Sequence, residues 1–198
     1  MIKDNQNQKN LLRISFANLR EKCLATNHQS ILFEVENSLK KLIALNKNEK
    51  YIGIYWPLKG EVDLRSLYKS STRNLALPAS NKNKEITYHP WIKMPLEKDF
   101  LKIPSPTKER VLNPEEISLL LIPALSIDKS GYRLGYGGGY FDRLRSKKRW
   151  KNIPSFIVIP QICVSNDPLP KDHWDIPFDG WISEKGLHEV QPDQSLVR

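Results

Sequence analysis

The chain has 198 residues, of which 39% are hydrophobic and 27% charged; this is the balance of a globular protein that can bury its own core, and it argues against disorder. A net charge of +9 favours anionic partners: nucleotides, polyanionic metabolites or nucleic acid. Cys23 and Cys163 stand alone, with no CxxC and no Cys/His cluster, which argues against a disulfide framework and a structural metal. The polar start "MIKDNQNQKN" has no apolar signal region, and the longest apolar run, "ISLLLIPAL" at 117–125, is far too short for a membrane span. A soluble, cytoplasmic protein is expected.

In chain order, residues 1–8 or so are expected to be disordered and residues 9–24 to form an amphipathic helix. Leu12, Phe16, Leu19 and Cys23 recur at helical spacing and share a face. Lys9, Arg13 and Arg20 also align; at about 100° per residue their stripe lies roughly 70° from the centre of the apolar one. That places the cations at the edge of the buried face, either solvated or leaning over a cleft. A second helix is expected over about 28–45, with Ile31, Val35, Leu39 and Leu42 on its apolar side. "YIGIYW" at 51–56 reads as a buried strand, and "VDLRSLYKS" after it as a short helix with Asp63 near its first turn. "NLALP" (74–78) and "EITYHPW" (85–91) read as strands, and the proline-punctuated residues 95–114 as an irregular connection. "EISLLLIPAL" (116–125) has the continuous apolar character of a strand covered on both faces. "GYFDRLRSKKRW" can start a helix, and "SFIVIP" (155–160) and "FDGWIS" (178–183) are further strands. The alternation implies an α/β fold: one domain over 1–198, with a central, largely parallel or mixed sheet flanked by helices.

Five of the nine glycines fall within "GYRLGYGGGYFDR" at 131–143. The stretch is not a P-loop, because no Lys-Ser or Lys-Thr follows it. Nor is it the dinucleotide fingerprint, because the last glycine of G-x-G-x-x-G would fall on Tyr140 or Asp142. Glycine-rich backbone between an apolar strand and a helix start can cradle phosphate oxygens, or it can simply allow a tightly packed turn. Arg133 adds a cation, and Asp142 an oxygen ligand of the kind Mg²⁺ prefers. Glu61 and Asp63 follow a strand end, where α/β folds place ligands, although both also suit a helix start. "RLRSKKRWK" at 143–151 suits a solvated helix face or a nucleic-acid contact. No catalytic triad is identifiable by spacing.

"DKSGYRLGYGGGYFDR" (128–143) resembles the signature of the 5-formyltetrahydrofolate cyclo-ligases, or 5,10-methenyltetrahydrofolate synthetases. "KNLLR" (9–13), "YWPLKGEVDL" (55–64) and "PQICVSNDPLPKDHWDIPFDGWISE" (160–184) match that family's other segments in order, and "FLKIPSP" (100–106) does so more loosely. Departures fall at Ala124, Ser126, Ser105, Phe141 and Leu101, where the family usually has glycine, a different small residue, Glu or Gln, tyrosine and a nearby aromatic.

The resemblance implies an enzyme that uses ATP and Mg²⁺ to close 5-formyltetrahydrofolate, with or without a polyglutamate tail, to 5,10-methenyltetrahydrofolate. It implies no nucleic-acid or membrane partner, and a monomer. By the same resemblance Lys9, Arg13 and Arg133 contact the ATP phosphates, and Leu134, Gly135, Tyr136, Gly137, Gly138, Gly139, Tyr140 and Phe141 wrap the nucleotide. Arg133, Tyr136 and Tyr140 lie at the transfer site, Trp56 and Glu61 contact the folate, and Asp142 and Asp179 hold the metal. The rival readings are a basic nucleic-acid-binding module and an inactive folate-binding homologue.

Overall fold

The computed structural model describes residues 2–43, 50–70 and 73–191. It opens with one long helix, α1 (Ile2–Ile43), where the sequence suggested two. No glycine or proline interrupts this stretch, and the weak helix formers around Thr26 and Asn27 are carried through because both flanking segments pack on the same body. Residues 2–8, expected to be disordered, are the first turns of α1. Residue 1, and residues 44–45 of the expected second helix, lie outside the described residues.

The chain continues through β1 (Tyr51–Gly53), α2 (Leu67–Ser70), β2 (Leu75–Ser80) and β3 (Ile86–Pro90). The segment read as irregular carries a two-stranded ribbon, β4 (Glu97–Lys98) with β5 (Pro104–Ser105). β6 (Ile117–Pro123) leads to β7 (Ser126–Asp128) and β8 (Arg133–Leu134), and then to α3 (Tyr140–Ser146) and α4 (Lys148–Lys151). β9 (Ser155–Val158), β10 (Val164–Ser165), β11 (Gly180–Ser183) and β12 (Gly186–Glu189) complete the order.

A seven-stranded sheet runs β12-β11-β9-β6-β1-β2-β3. Its five inner strands are parallel, and β3 and β12 cap the two edges antiparallel. Because side chains alternate across a strand, β6 sends Leu119 and Leu121 to one face and Leu120 and Ile122 to the other. The C-terminal half of α1 covers the first face with Ile31, Val35 and Leu39; Leu144 of α3 and Trp150 of α4 cover the second. Burial on both faces explains why β6 is apolar nearly throughout. This mixed α/β layering agrees with the fold class read from the sequence.

Candidate active site

The order of the parallel strands turns around at β1: β2 lies on one side of it and β6 on the other. In open α/β sheets a crevice forms at such a switch, outside the carboxyl ends of the strands. Here it holds a cavity of about 210 Å³ lined by Tyr55 and Trp56 beyond β1, Pro78 and Ser80 of β2, Pro123 of β6 and the glycine loop.

The glycine loop forms one wall, in which the backbone of Gly138 and Gly139 and the Arg133 side chain stand beside the rings of Tyr136, Tyr140 and Phe141. Gly139 caps α3 in the left-handed region at φ 66°, and a side-chain carbon at Gly138 would come within 2.9 Å of the Tyr140 ring. The loop therefore brings backbone to the cavity where side chains would not fit. Arg133 is held beneath it: Nη2 donates to Asp142 Oδ1 at 2.9 Å, and the guanidinium lies over the Phe141 and Phe178 rings. Its Nε is buried without a hydrogen-bond partner. From α1, Arg13 Nε donates to the Gly135 carbonyl at 2.9 Å and flanks Gly137. Arg143 donates to the carbonyls of Gly138 and Lys84, fastening the loop to the β2–β3 turn.

Lys9 does not reach the loop. It is 8% exposed, and its Nζ is bound to Asp172 at 2.7 Å and Asp175 at 3.4 Å. Leu134 packs with Leu125 and Leu169, so its side chain belongs to the core. Asp142 and Asp179, expected to hold one metal, sit on different elements, and both of their charges act on Arg145. Asp179 lies at the opening end of β11, accepting from the Ser155 amide at 2.7 Å and facing Arg145. Pro123, beside Arg133, closes β6 and pairs with Val158, so the two ends are about 10 Å apart along the strands. Among the described residues no cluster of three or more metal-ligating side chains occurs.

The facing wall is apolar. Trp56 stands edge-on to Trp91, with Arg65 over its ring, and Leu58, Leu101 and Ile103 extend the wall outward. Leu101, where an aromatic was expected nearby, lines the cavity with aliphatic surface. Ser105 lies behind this wall, fully buried and donating to the Pro78 carbonyl, while Ser126 donates to the Cys163 carbonyl. Glu61 lines the cavity at 6% exposure; Oε2 accepts from the Leu58 amide at 2.7 Å, and buried Oε1 has no partner. Burial pushes its carboxyl above the ordinary glutamate range, opposed by the Leu58 amide, Tyr136 and Arg20.

Tyr136 bridges the walls. Its ring is partly exposed, while burial and then the Glu61 charge push its hydroxyl upward and Arg20 pulls it back. Sequence reasoning did not identify Arg20 and Arg143 as site residues. Arg20 shared the helical spacing of Lys9 and Arg13 but matched no motif; Arg143 sat in the basic run. That run is largely engaged within the protein: Arg145 donates to the Pro177 carbonyl, Lys147 pairs with Glu85, and Arg149 pairs with Glu115.

Comparison with known proteins agrees with this geometry. A family model described as the 5-formyltetrahydrofolate cyclo-ligase family matches residues 5–184. A Haemophilus influenzae protein named 5-formyltetrahydrofolate cyclo-ligase is 30% identical over 142 residues, which span 67% of this chain and 74% of the relative. The solved structure of Aquifex aeolicus 5,10-methenyltetrahydrofolate synthetase superposes with a TM-score of 0.74 at 28% identity, covering 96% of this chain and 97% of that one. A Mycoplasma pneumoniae 5,10-methenyltetrahydrofolate synthetase shares the fold, with a TM-score of 0.65 at 22% identity over 89% of this chain and 99% of that one.

Proposed function

The chain belongs to the 5-formyltetrahydrofolate cyclo-ligase family, and on that premise we propose that it closes 5-formyltetrahydrofolate to 5,10-methenyltetrahydrofolate at the expense of ATP. The observation that carries this reading is a single cavity joining a glycine-rich, arginine-backed wall to an apolar wall with one buried carboxylate. The first suits a triphosphate and the second a pterin, which is flat, apolar on its faces and polar at its edge.

An N-formyl group is a poor electrophile because its oxygen would have to leave as water. Transfer of the γ-phosphoryl group of ATP forms a bond from the formyl oxygen to phosphorus and releases ADP. N10 then attacks the activated carbon, the C–O bond breaks, and phosphate departs with the formyl oxygen. Loss of the N10 proton leaves the five-membered imidazolinium ring. No protein nucleophile is needed, so positioning and charge neutralisation supply the catalysis.

In this chain the amides of the loop at Gly137, Gly138 and Gly139 would receive phosphate oxygens, with Arg13 and Arg133 supplying positive charge. Arg133 carries a buried, unpartnered Nε, which fits a site completed by an anion. The residues also fit Mg²⁺. Asp142 is the carboxylate at the loop, and Mg²⁺ is typically held by one or two carboxylates plus substrate phosphates. Bound there, the ion would neutralise phosphate charge. Trp56 would pack on the pterin face, and Glu61 Oε1 would accept a hydrogen bond from its polar edge. Tyr136 and Tyr140 shield the transfer site from water.

The purified protein is expected to generate the ultraviolet absorbance of the methenyl product only when 5-formyltetrahydrofolate, ATP and Mg²⁺ are all present. Folded protein that forms no product with all three, or forms it equally without ATP, would overturn the proposal.

A further inference from the structure

Arg20 is 4% exposed, and it is buried at the junction of three segments that build the cleft. Its Nη1 donates to the Ala124 carbonyl, just beyond β6, at 2.8 Å. The guanidinium carbon lies 5.3 Å from the centre of the Tyr136 ring in the glycine loop. It also packs on the loop after β1: a side-chain carbon at Gly60 would stand 3.5 Å from Nη2 and 3.7 Å from Nε. Glu61 is the next residue.

Nothing in this arrangement discharges the cation. Arg20 makes no ion pair among the described residues, and its buried Nε has no hydrogen-bond partner. A buried charge is costly unless something compensates it. The compensation available is the Tyr136 ring and the Glu61 carboxylate, whose Oε1 is itself buried and unpartnered. Arg20 does not line the cavity, whereas Glu61 and Tyr136 both do.

We propose that Arg20 is a positioning residue that acts through Tyr136 and Glu61, holding Glu61 as a carboxylate aimed into the folate side of the cleft and tying that side to the glycine loop. The catalytic meaning of this role rests on the cyclo-ligase reading above; the coupling among the three side chains does not. An Arg20→Met variant removes the charge and keeps the unbranched apolar stem, while Arg20→Lys keeps the charge and loses the planar fork. Around Glu61 and Tyr136 stand Arg20, Tyr55 and Asp63; Arg133 lines the same cavity, His28 of α1 accepts from the Asp63 amide, and Cys163 faces Arg20.

The test is a carbon-13 NMR titration of the glutamate carboxyls in the ligand-free protein, with Glu61 assigned by the signal that vanishes in Glu61→Gln. Arg20→Met is expected to move the Glu61 midpoint upward, and Arg20→Lys to hold it near the wild-type value. In turnover assays near neutral pH, Arg20→Met is expected to raise the folate KM roughly tenfold, the weight of one charge-assisted contact. The acid limb of that KM profile should move to higher pH, and Arg20→Lys should restore most of the loss. An unchanged Glu61 midpoint in folded Arg20→Met overturns the proposal. If that variant does not fold, Tyr136→Phe serves instead: removing the hydroxyl that favours the Glu61 carboxylate should also raise the midpoint, and an unchanged value again overturns it. The titration needs no substrate, so wild-type protein that shows the coupling but does not turn over folate would sink the cyclo-ligase reading and leave the network standing.

Discussion

One wall of the cleft comes from a single run of chain, residues 133–142, in which an arginine, the glycines and an aspartate are neighbours in sequence as well as in space. The facing wall is gathered from Tyr55, Trp56, Glu61, Leu101 and Ile103, drawn from the segment after β1 and from the β4–β5 ribbon. The first wall combines glycine backbone and Arg133 with three aromatic rings; the second is gathered from side chains, largely apolar but with Glu61 and Asp99 among them. A site assembled this way can recognise two unlike parts of a reaction, and substitutions on each wall should be read out on different substrates.

The largest effect should come from the glycine-loop wall. Asp142→Asn is expected to lower kcat roughly a hundredfold or more, since a charge-neutralising metal site contributes several kcal/mol at a transition state. Near-normal turnover at limiting Mg²⁺ would make Asp142 a structural partner of Arg133 and nothing more. On the apolar wall, Trp56→Ala should raise the folate KM about tenfold or more while leaving the ATP KM within about twofold. Equal movement of both constants would erase the distinction between the walls.

Arg13→Ala should do the reverse, raising the ATP KM roughly tenfold with little change for folate. Lys9→Ala separates a third behaviour. Because Lys9 is paired with Asp172 and Asp175, its loss leaves two carboxylates without their cation. Its melting temperature should fall further than that of Arg13→Ala.

The smallest effect concerns pH. Burial holds the Glu61 carboxyl above its unfolded value, so the folded state binds that proton more tightly, and stability is lost as pH rises from the ordinary glutamate value through the raised one. Glu61→Gln should therefore melt a few degrees higher than wild type, about 2–4 °C, above that window and show no advantage below it. Calorimetry at two pH values checks the sign.

The two walls also differ in how far they could be read from the letters. Arg133, the loop glycines and Asp142 are contiguous, so the motif displays them together. The same holds for the continuous apolar runs of β6 and β9, from which a sheet covered on both faces could be inferred. The apolar wall has no such compactness. Trp56 was found by resemblance and Glu61 by resemblance and its place after a strand end, and nothing in the spacing of Leu101 or Ile103 announces that they line the cavity with Tyr136.

α1 shows a different limit. Its apolar positions were visible, but the break expected near Thr26 and Asn27 was not real, because tertiary packing on both sides outweighs local propensity. Arg20 repeats the helical spacing of a solvated stripe, and only the approach of Ala124, Gly60 and Tyr136 makes it a buried cation. β12 and the short strands β4, β5, β7, β8 and β10 were missed for a similar reason: two to four residues carry no period, and partners distant in sequence make them strands. Asp179 was assigned by resemblance, and no spacing shows what the parallel register does, that it stands just before β11 and level with Ser155.

In the proposed reaction ATP activates the formyl oxygen before the ring closes. Running it with 5-formyltetrahydrofolate carrying oxygen-18 in its formyl group, and weighing the inorganic phosphate by mass spectrometry, reads that step out. Each phosphate released should carry the label, because the C–O bond breaks only after that oxygen has bonded to phosphorus. Unlabelled phosphate, with the oxygen-18 recovered in water, would rule the step out.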